Sequence, residues 1–177
     1  RRTFRNIVGH VEGVSDVTKL SSWVSEQFDP KLSWEDVSRI RDWWGGKFII
    51  KGILEPEDAL NALNVGADAI IVSNHGGRQL DQTSSTISML PKIVNEVGDK
   101  VSVWLDGGIR SGQDILKAIA LGADNTLIGR AMSYGLGAGG FSGCEKALDI
   151  LHAELDMTMA LCGHRNLKKI DKSILKT

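Results

Sequence analysis

Strand-like and helix-like runs alternate four times between Lys47 and Cys162, and this alternation most narrows the folds open to the chain. The strand-like runs are "KFIIKG", "AIIVSN", "KVSVWLDGG" and "NTLIGR". Between them lie "EPEDALNALNVGAD", a polar turn with a helix over 84–97, and "SGQDILKAIALGAD". A longer helix is expected from about Glu145 to Cys162. Alternation of this kind implies right-handed βαβ units and a parallel sheet. The strand runs are continuously apolar, as expected where both faces of a sheet are buried. Local signals agree. Pro56 suits a first helical position, and Gly66 and Gly122 suit helix stops. Ser111 with Asp114 forms a capping-box pattern, as does Ser33 with Asp36 ahead of a helix that Gly45-Gly46 ends. Residues 1–30 show no firm period and are expected to be a mobile loop region.

An internal echo sharpens the fold class. "KGILEPEDALNALNVGADAIIVSN" resembles "DGGIRSGQDILKAIALGADNTLIGR", with Asp58 and Asp114, and likewise Gly66 and Gly122, 56 positions apart. The simplest account is a repeated two-strand unit of an α/β barrel; caps and turns common to all βα units are the plainer alternative. A complete (β/α)8 barrel needs roughly 250 residues. With 177 residues and four strands, the chain is expected to be half of such a barrel or a small open sheet.

Bulk properties exclude several functions. The formal net charge is −1, which offers nothing to a nucleic acid. Two cysteines, Cys144 and Cys162, stand in no metal-ligand spacing, so neither a disulfide framework nor a metal centre is expected. No apolar run approaches the roughly 20 residues that span a bilayer, and no signal-peptide pattern is present. The start, "RRTFRNIVGH", reads as mid-protein loop.

In a parallel βα array, functional groups collect beyond the C-terminal ends of strands. The four ends here are Lys51-Gly52, Ser73-Asn74-His75, Asp106-Gly107-Gly108 and Gly129-Arg130. Polar groups at all four form a candidate active-site rim. Lys51 offers a fixed positive charge to a developing anion. His75 offers a base, and Arg78 can grip a carboxylate with two parallel hydrogen bonds. Gly76-Gly77 permits close backbone approach. This pairing suits a small organic acid. "LDGGIRSG" and "LIGR" add glycine turns with Arg110 and Arg130, which suit a phosphate near the helix that starts at Ser111. The five tryptophans are expected in helix packing or core. His152 is expected partly buried on the last helix. His10 and His164 belong to loops with no constellation. "GLGAGGFSG", 135–143, is expected to be a flexible connection.

"SNHGGRQLD", "KGI", "DGGIRSG" and "LGAD…IGR", in that composition and spacing, resemble the signature of the FMN-dependent α-hydroxy-acid dehydrogenases and oxidases. "FDPKLSWEDVSRIRDWW…FIIKGILEPEDA" is most similar to the respiratory L-lactate dehydrogenase branch. The resemblance implies a TIM (β/α)8 barrel of which this chain holds about the last four βα units, 1–177 being the C-terminal half of one FMN-binding domain. It implies oxidation of an L-2-hydroxy acid, L-lactate to pyruvate first, with electrons passing from FMN to a quinone, a cytochrome or oxygen. His75 would be the catalytic base and Arg78 the substrate clamp. Lys51 would face the flavin ring, and Ser73 would lie near it. Asp106, Gly107, Gly108, Arg110, Gly129 and Arg130 would hold the ribityl phosphate region. The resemblance further implies a homo-oligomer in the cytoplasm, peripheral on the inner face of the cytoplasmic membrane. In such enzymes the preceding half-barrel supplies tyrosines, a second substrate arginine and an aspartate for the histidine. The chain alone is therefore expected to be an incomplete site. Two rival readings are an inactive half-barrel and another phosphate-gripping flavin barrel, such as an isopentenyl-diphosphate isomerase.

Overall fold

The computed structural model describes residues 17–176, and the chain divides into two compact units, 1–37 and 38–177. In the first, α1 (Val17–Glu26) forms within the stretch expected to be a loop. Residues 27–30 carry neither helix nor strand, as expected of a loop, while 1–16, with His10, lie outside the described residues. Ser33 and Asp36 build the expected box at the start of α2 (Trp34–Trp43): the Ser33 N–H donates to Asp36 Oδ2 over 2.8 Å.

The second unit carries β1 (Ile49–Ile53), α3 (Pro56–Asn64), β2 (Ala69–Val72), α4 (Thr86–Val97), β3 (Ser102–Asp106), α5 (Gly112–Ala120), β4 (Asn125–Leu127) and α6 (Arg130–Leu161). The four strands form one parallel sheet in chain order, as the alternation predicts. The repeated "GAD" has a structural cause. Gly66 and Gly122 both take positive φ, 78° and 104°, which glycine alone adopts without strain. The aspartate two residues on then ties its strand to the neighbour. Asp68 exchanges bonds with Phe48, its N–H donating over 2.8 Å and its Oδ2 accepting from the Phe48 N–H over 2.9 Å. Asp124 repeats both bonds with Val103, each over 2.8 Å.

Burial corrects one expectation. Only β2 is buried along its whole length; in β3, Val103 and Leu105 are buried, whereas Ser102, Trp104 and Asp106 are half-buried. The register aligns Lys51, Ile71 and Trp104 on one face and Ile50, Ile70 and Val103 on the other. Helices cover the second face, where Ile70, Val72, Val103 and Leu105 meet the core that also holds Leu90, Ile93, Val97 and Leu116. Among the described residues the first face stays partly open.

Two further expectations change. Trp43 and Trp44 are 80% and 56% exposed, so they are surface residues. The Trp44 indole N–H bonds outward to the Lys47 carbonyl over 2.8 Å. The stretch 135–143 is helical, not a flexible connection, apart from a sharp kink at Gly139-Gly140, where Gly140 has φ 59°. The two arms of α6, 130–138 and 141–161, approach so closely that a Cβ on Gly143 would overlap the Gly135 carbonyl oxygen. The glycines serve this backbone contact. His152 is exposed on the second arm.

Candidate active-site cleft

Each rim residue owes its place to a strand end or to the turn that follows. Lys51 lies on β1, where the pairing to β2 slips between Lys51 and Ile53. Gly52 supplies that irregularity with φ 106°. Beyond β2, Asn74 directs a tight turn: its side-chain oxygen accepts from the Gly76 N–H over 3.1 Å. His75 begins this 3-10 turn in the left-handed region, φ 54°, and Arg78 closes it. Beyond β3, Gly107 and Gly108 take φ 111° and 81°. A Cβ on Gly108 would meet nothing within 4 Å, so the chain there faces open space. Gly129 precedes α6 and Arg130 opens it.

Nine of the ten predicted site residues line one cleft of about 690 Å³: Lys51, His75, Arg78, Asp106, Gly107, Gly108, Arg110, Gly129 and Arg130. That volume lies within the usual range for small-molecule sites, about 300–1,000 Å³. The tenth, Ser73, is fully buried beneath them. Its hydroxyl accepts from Lys51 Nζ over 3.0 Å and from the His75 backbone N–H over 3.1 Å, and donates to Asp106 Oδ2 over 2.7 Å. A serine hydroxyl has one donor and two acceptor sites, so Ser73 is saturated. Arg130, in the cleft lining, donates to the Gly76 carbonyl over 3.2 Å.

Lys51 Nζ also pairs with Asp106 Oδ2 at 2.7 Å. Burial alone would raise the Asp106 carboxyl. The hydrogen bonds from Lys51 and Ser73, with the Lys51 and His75 charges, outweigh burial and hold it below its ordinary value. A carboxylate depressed in the folded state stabilises above its unfolded pKa, about 3.9, and that contribution is lost as pH falls through the folded value. Asp106→Asn is therefore expected to cost stability at pH 6 and progressively less as the pH is lowered below about 4. Urea denaturation at a series of pH values checks this; a pH-independent cost would refute the ion-pair account.

Both loops of the phosphate expectation, Asp106–Arg110 and Gly129–Arg130, reach the cleft. Near the start of α5, carboxylates already accept from three backbone N–H groups. Asp114 Oδ2 accepts from the Arg110 and Ser111 N–H groups over 3.1 and 3.0 Å, and Glu154 Oε2 from Gly112 over 2.9 Å. The start of α6 has no side-chain cap, and Gly129, Arg130 and Ser133 line the cleft there. Asn74, placed on the rim from sequence but given no role, shares the lining with Thr86 and Ser133, which sequence reasoning passed over. The asparagine had a readable signal, as a residue that bonds its own backbone two positions on. Among the described residues no cluster of three or more histidine, cysteine or acidic side chains could hold a metal.

A family model described as FMN-dependent dehydrogenase matches residues 2–177. An L-lactate dehydrogenase of Pseudomonas syringae pv. syringae is 48% identical over 170 residues, which is 96% of this chain and 45% of that protein. An L-lactate dehydrogenase of Caulobacter sp. is 46% identical, covering 96% of this chain and 44% of that one. Among solved structures, (S)-mandelate dehydrogenase, described as a monotopic membrane protein, superposes with a TM-score of 0.85 at 38% identity, over 94% of this chain and 44% of that one. A mandelate oxidase superposes at 0.74 with 44% identity, over 77% and 43%. The chain thus spans less than half the length of each of these four relatives.

Proposed function

Because this chain belongs to the FMN-dependent dehydrogenase family, we propose that the protein of which it forms part oxidises an L-2-hydroxy acid, L-lactate first, to the 2-keto acid. The observation that carries this reading is the shared cleft: a histidine and an arginine stand three residues apart on one turn, in a lining that also holds glycines and two further arginines.

The donor set fits FMN. The turn at Gly108, open to the cleft, leaves room for close approach, and Arg110, Arg130 and the uncapped start of α6 suit a phosphate monoester. FMN, when bound, supplies the two-electron acceptor. In the proposed roles, Arg78 orients the substrate by its carboxylate and His75 accepts one of the two protons released by the alcohol carbon and its hydroxyl. Lys51, fixed by Asp106 and Ser73, keeps one of its three N–H donors free for the cleft.

The finer assignments rest on the same footing. The L-lactate dehydrogenase relatives favour a small hydroxy acid, whereas the mandelate enzymes make an aromatic one the main competitor. A quinone, a cytochrome or oxygen would receive the electrons from a homo-oligomeric enzyme. No helix among the described residues is long and apolar enough to cross a membrane. A peripheral place on the inner membrane face is supported by the monotopic relative. The test is anaerobic mixing of the flavin-loaded full-length protein with L-lactate and, separately, (S)-mandelate. Bleaching of the flavin absorbance by L-lactate is expected. Bleaching by mandelate alone would replace the substrate, and bleaching by neither would overturn the reading.

A further inference from the structure

His75 is the first residue of its turn and stands in a backbone conformation that side-chain-bearing residues seldom adopt. Two neighbours account for its being there. The first is Gly52, on the adjacent strand. A Cβ built on Gly52 would lie 2.8 Å from His75 Cε1 and 3.7 Å from both ring nitrogens. The imidazole therefore rests directly over the glycine, in the space a side chain would fill. The second is Ser73, whose buried hydroxyl accepts from the His75 backbone N–H. Because the same hydroxyl also holds Lys51 and Asp106, the turn bearing the base is tied to the ion pair on the two flanking strands.

We propose that Gly52 and Ser73 are positioning residues for the His75 base: Gly52 seats the imidazole, and Ser73 pins the backbone from which it projects. The proposal rests on the functional reading above and adds two residues that act through the histidine. Neither needs to touch the substrate. Ser73 reaches the base through the His75 backbone N–H from which its hydroxyl accepts, its other two bonds going to Lys51 and Asp106. Gly52 presents no side chain at all. A misplacement of about 1 Å at a reacting group can cost on the order of 100-fold in rate, so loss of either seat should act on the chemical step.

The experiment compares Gly52→Ala and Ser73→Ala with the parent in the flavin-loaded full-length protein. Three quantities are read: FMN affinity, the rate of anaerobic flavin reduction by L-lactate, and the proton resonance on His75 Cε1. That resonance is assigned by its disappearance in His75→Asn. Cε1 is the ring atom nearest Gly52, which makes its proton a direct reporter independent of turnover. The expected result is a reduction rate at saturating FMN lower by about 10- to 100-fold in each variant, FMN affinity within about threefold of the parent in Gly52→Ala, and a displaced His75 signal with the other histidine signals unmoved. An unmoved His75 signal in both variants would overturn the proposal. So would a Ser73→Ala protein that loses FMN affinity but, once saturated with FMN, is reduced at the parent rate, because Ser73 would then serve the cofactor alone. Gly52 has φ 106°, where alanine is strained irrespective of space. Should Gly52→Ala fail to fold, Ser73→Ala carries the decision. If the parent protein is reduced by no hydroxy acid, the functional reading fails, while the His75 signal still reports whether the seat exists.

Discussion

Replacing His75 by asparagine is expected to slow anaerobic flavin reduction by L-lactate by about 10²–10⁴-fold, the usual contribution of a positioned general base. Asparagine is chosen for a backbone reason. His75 stands at φ 54°, and asparagine is among the residues most tolerant of that region. The turn should therefore survive, along with the bond from its N–H to Ser73. Arg78, at the end of the same turn, is retained and should still grip a carboxylate. Affinity for pyruvate, followed by its perturbation of the flavin spectrum, should thus stay within about threefold of the parent. A fall in reduction rate with pyruvate affinity preserved locates the defect in the proton transfer. Equal losses in both would mean that the histidine binds rather than reacts, and an unchanged reduction rate would remove it from the chemistry.

The sequence carried the order of the array and the contents of its rim, because both follow from local rules. Strand ends in a parallel sheet must point their C-terminal residues the same way, so Lys51, His75, Asp106 and Arg130 could be assigned to one rim without coordinates. The repeated "GAD" also had a local cause, a glycine stop followed by an aspartate that bonds the neighbouring strand. Partnerships across the rim were another matter. Lys51 and Asp106 stand 55 positions apart in the chain, on strands separated by β2, and meet over Ser73, the small residue just beyond β2 whose hydroxyl bonds both. The exposure of Trp43 and Trp44 was unreadable from periodicity, which places apolar residues on a helix face without saying what that face meets. The glycines of 135–143 suggested slackness, whereas they permit two helical arms to touch. Glycine content alone does not distinguish a hinge from a close contact.

The α5–α6 junction was equally hidden, and it yields the largest expected stability effect. Gly112 opens α5 and lies against the backbone of α6. A Cβ there would overlap the Leu155 nitrogen and the Glu154 carbonyl carbon and stand 2.7 Å from Glu154 Cβ. Backbone cannot rotate away as a flexible side chain would, so relief requires the two helices to separate. Separation would strain the bond from the Gly112 N–H to Glu154 Oε2 and loosen the cluster of Leu116, Leu155 and Met159, on which Ile170 and Ile174 also pack. Overpacking costs about 1–3 kcal/mol and a hydrogen bond to a charged group about 1.5–3. Gly112→Ala should therefore lose about 3 kcal/mol or more, which lowers Tm by on the order of 6–12 °C in a domain of roughly 150–250 residues and by less in a larger one. Gln113→Ala, one position on and exposed, should change Tm by no more than about 2 °C. Glu154→Gln separates packing from charge. It keeps the glycine contact and should cost less than Gly112→Ala. It should also leave FMN affinity unchanged if the phosphate is held at the start of α6 and not at α5. A Gly112→Ala protein as stable as the parent would show that the helices can part freely, and a Glu154→Gln protein that binds FMN more tightly would favour the phosphate at α5.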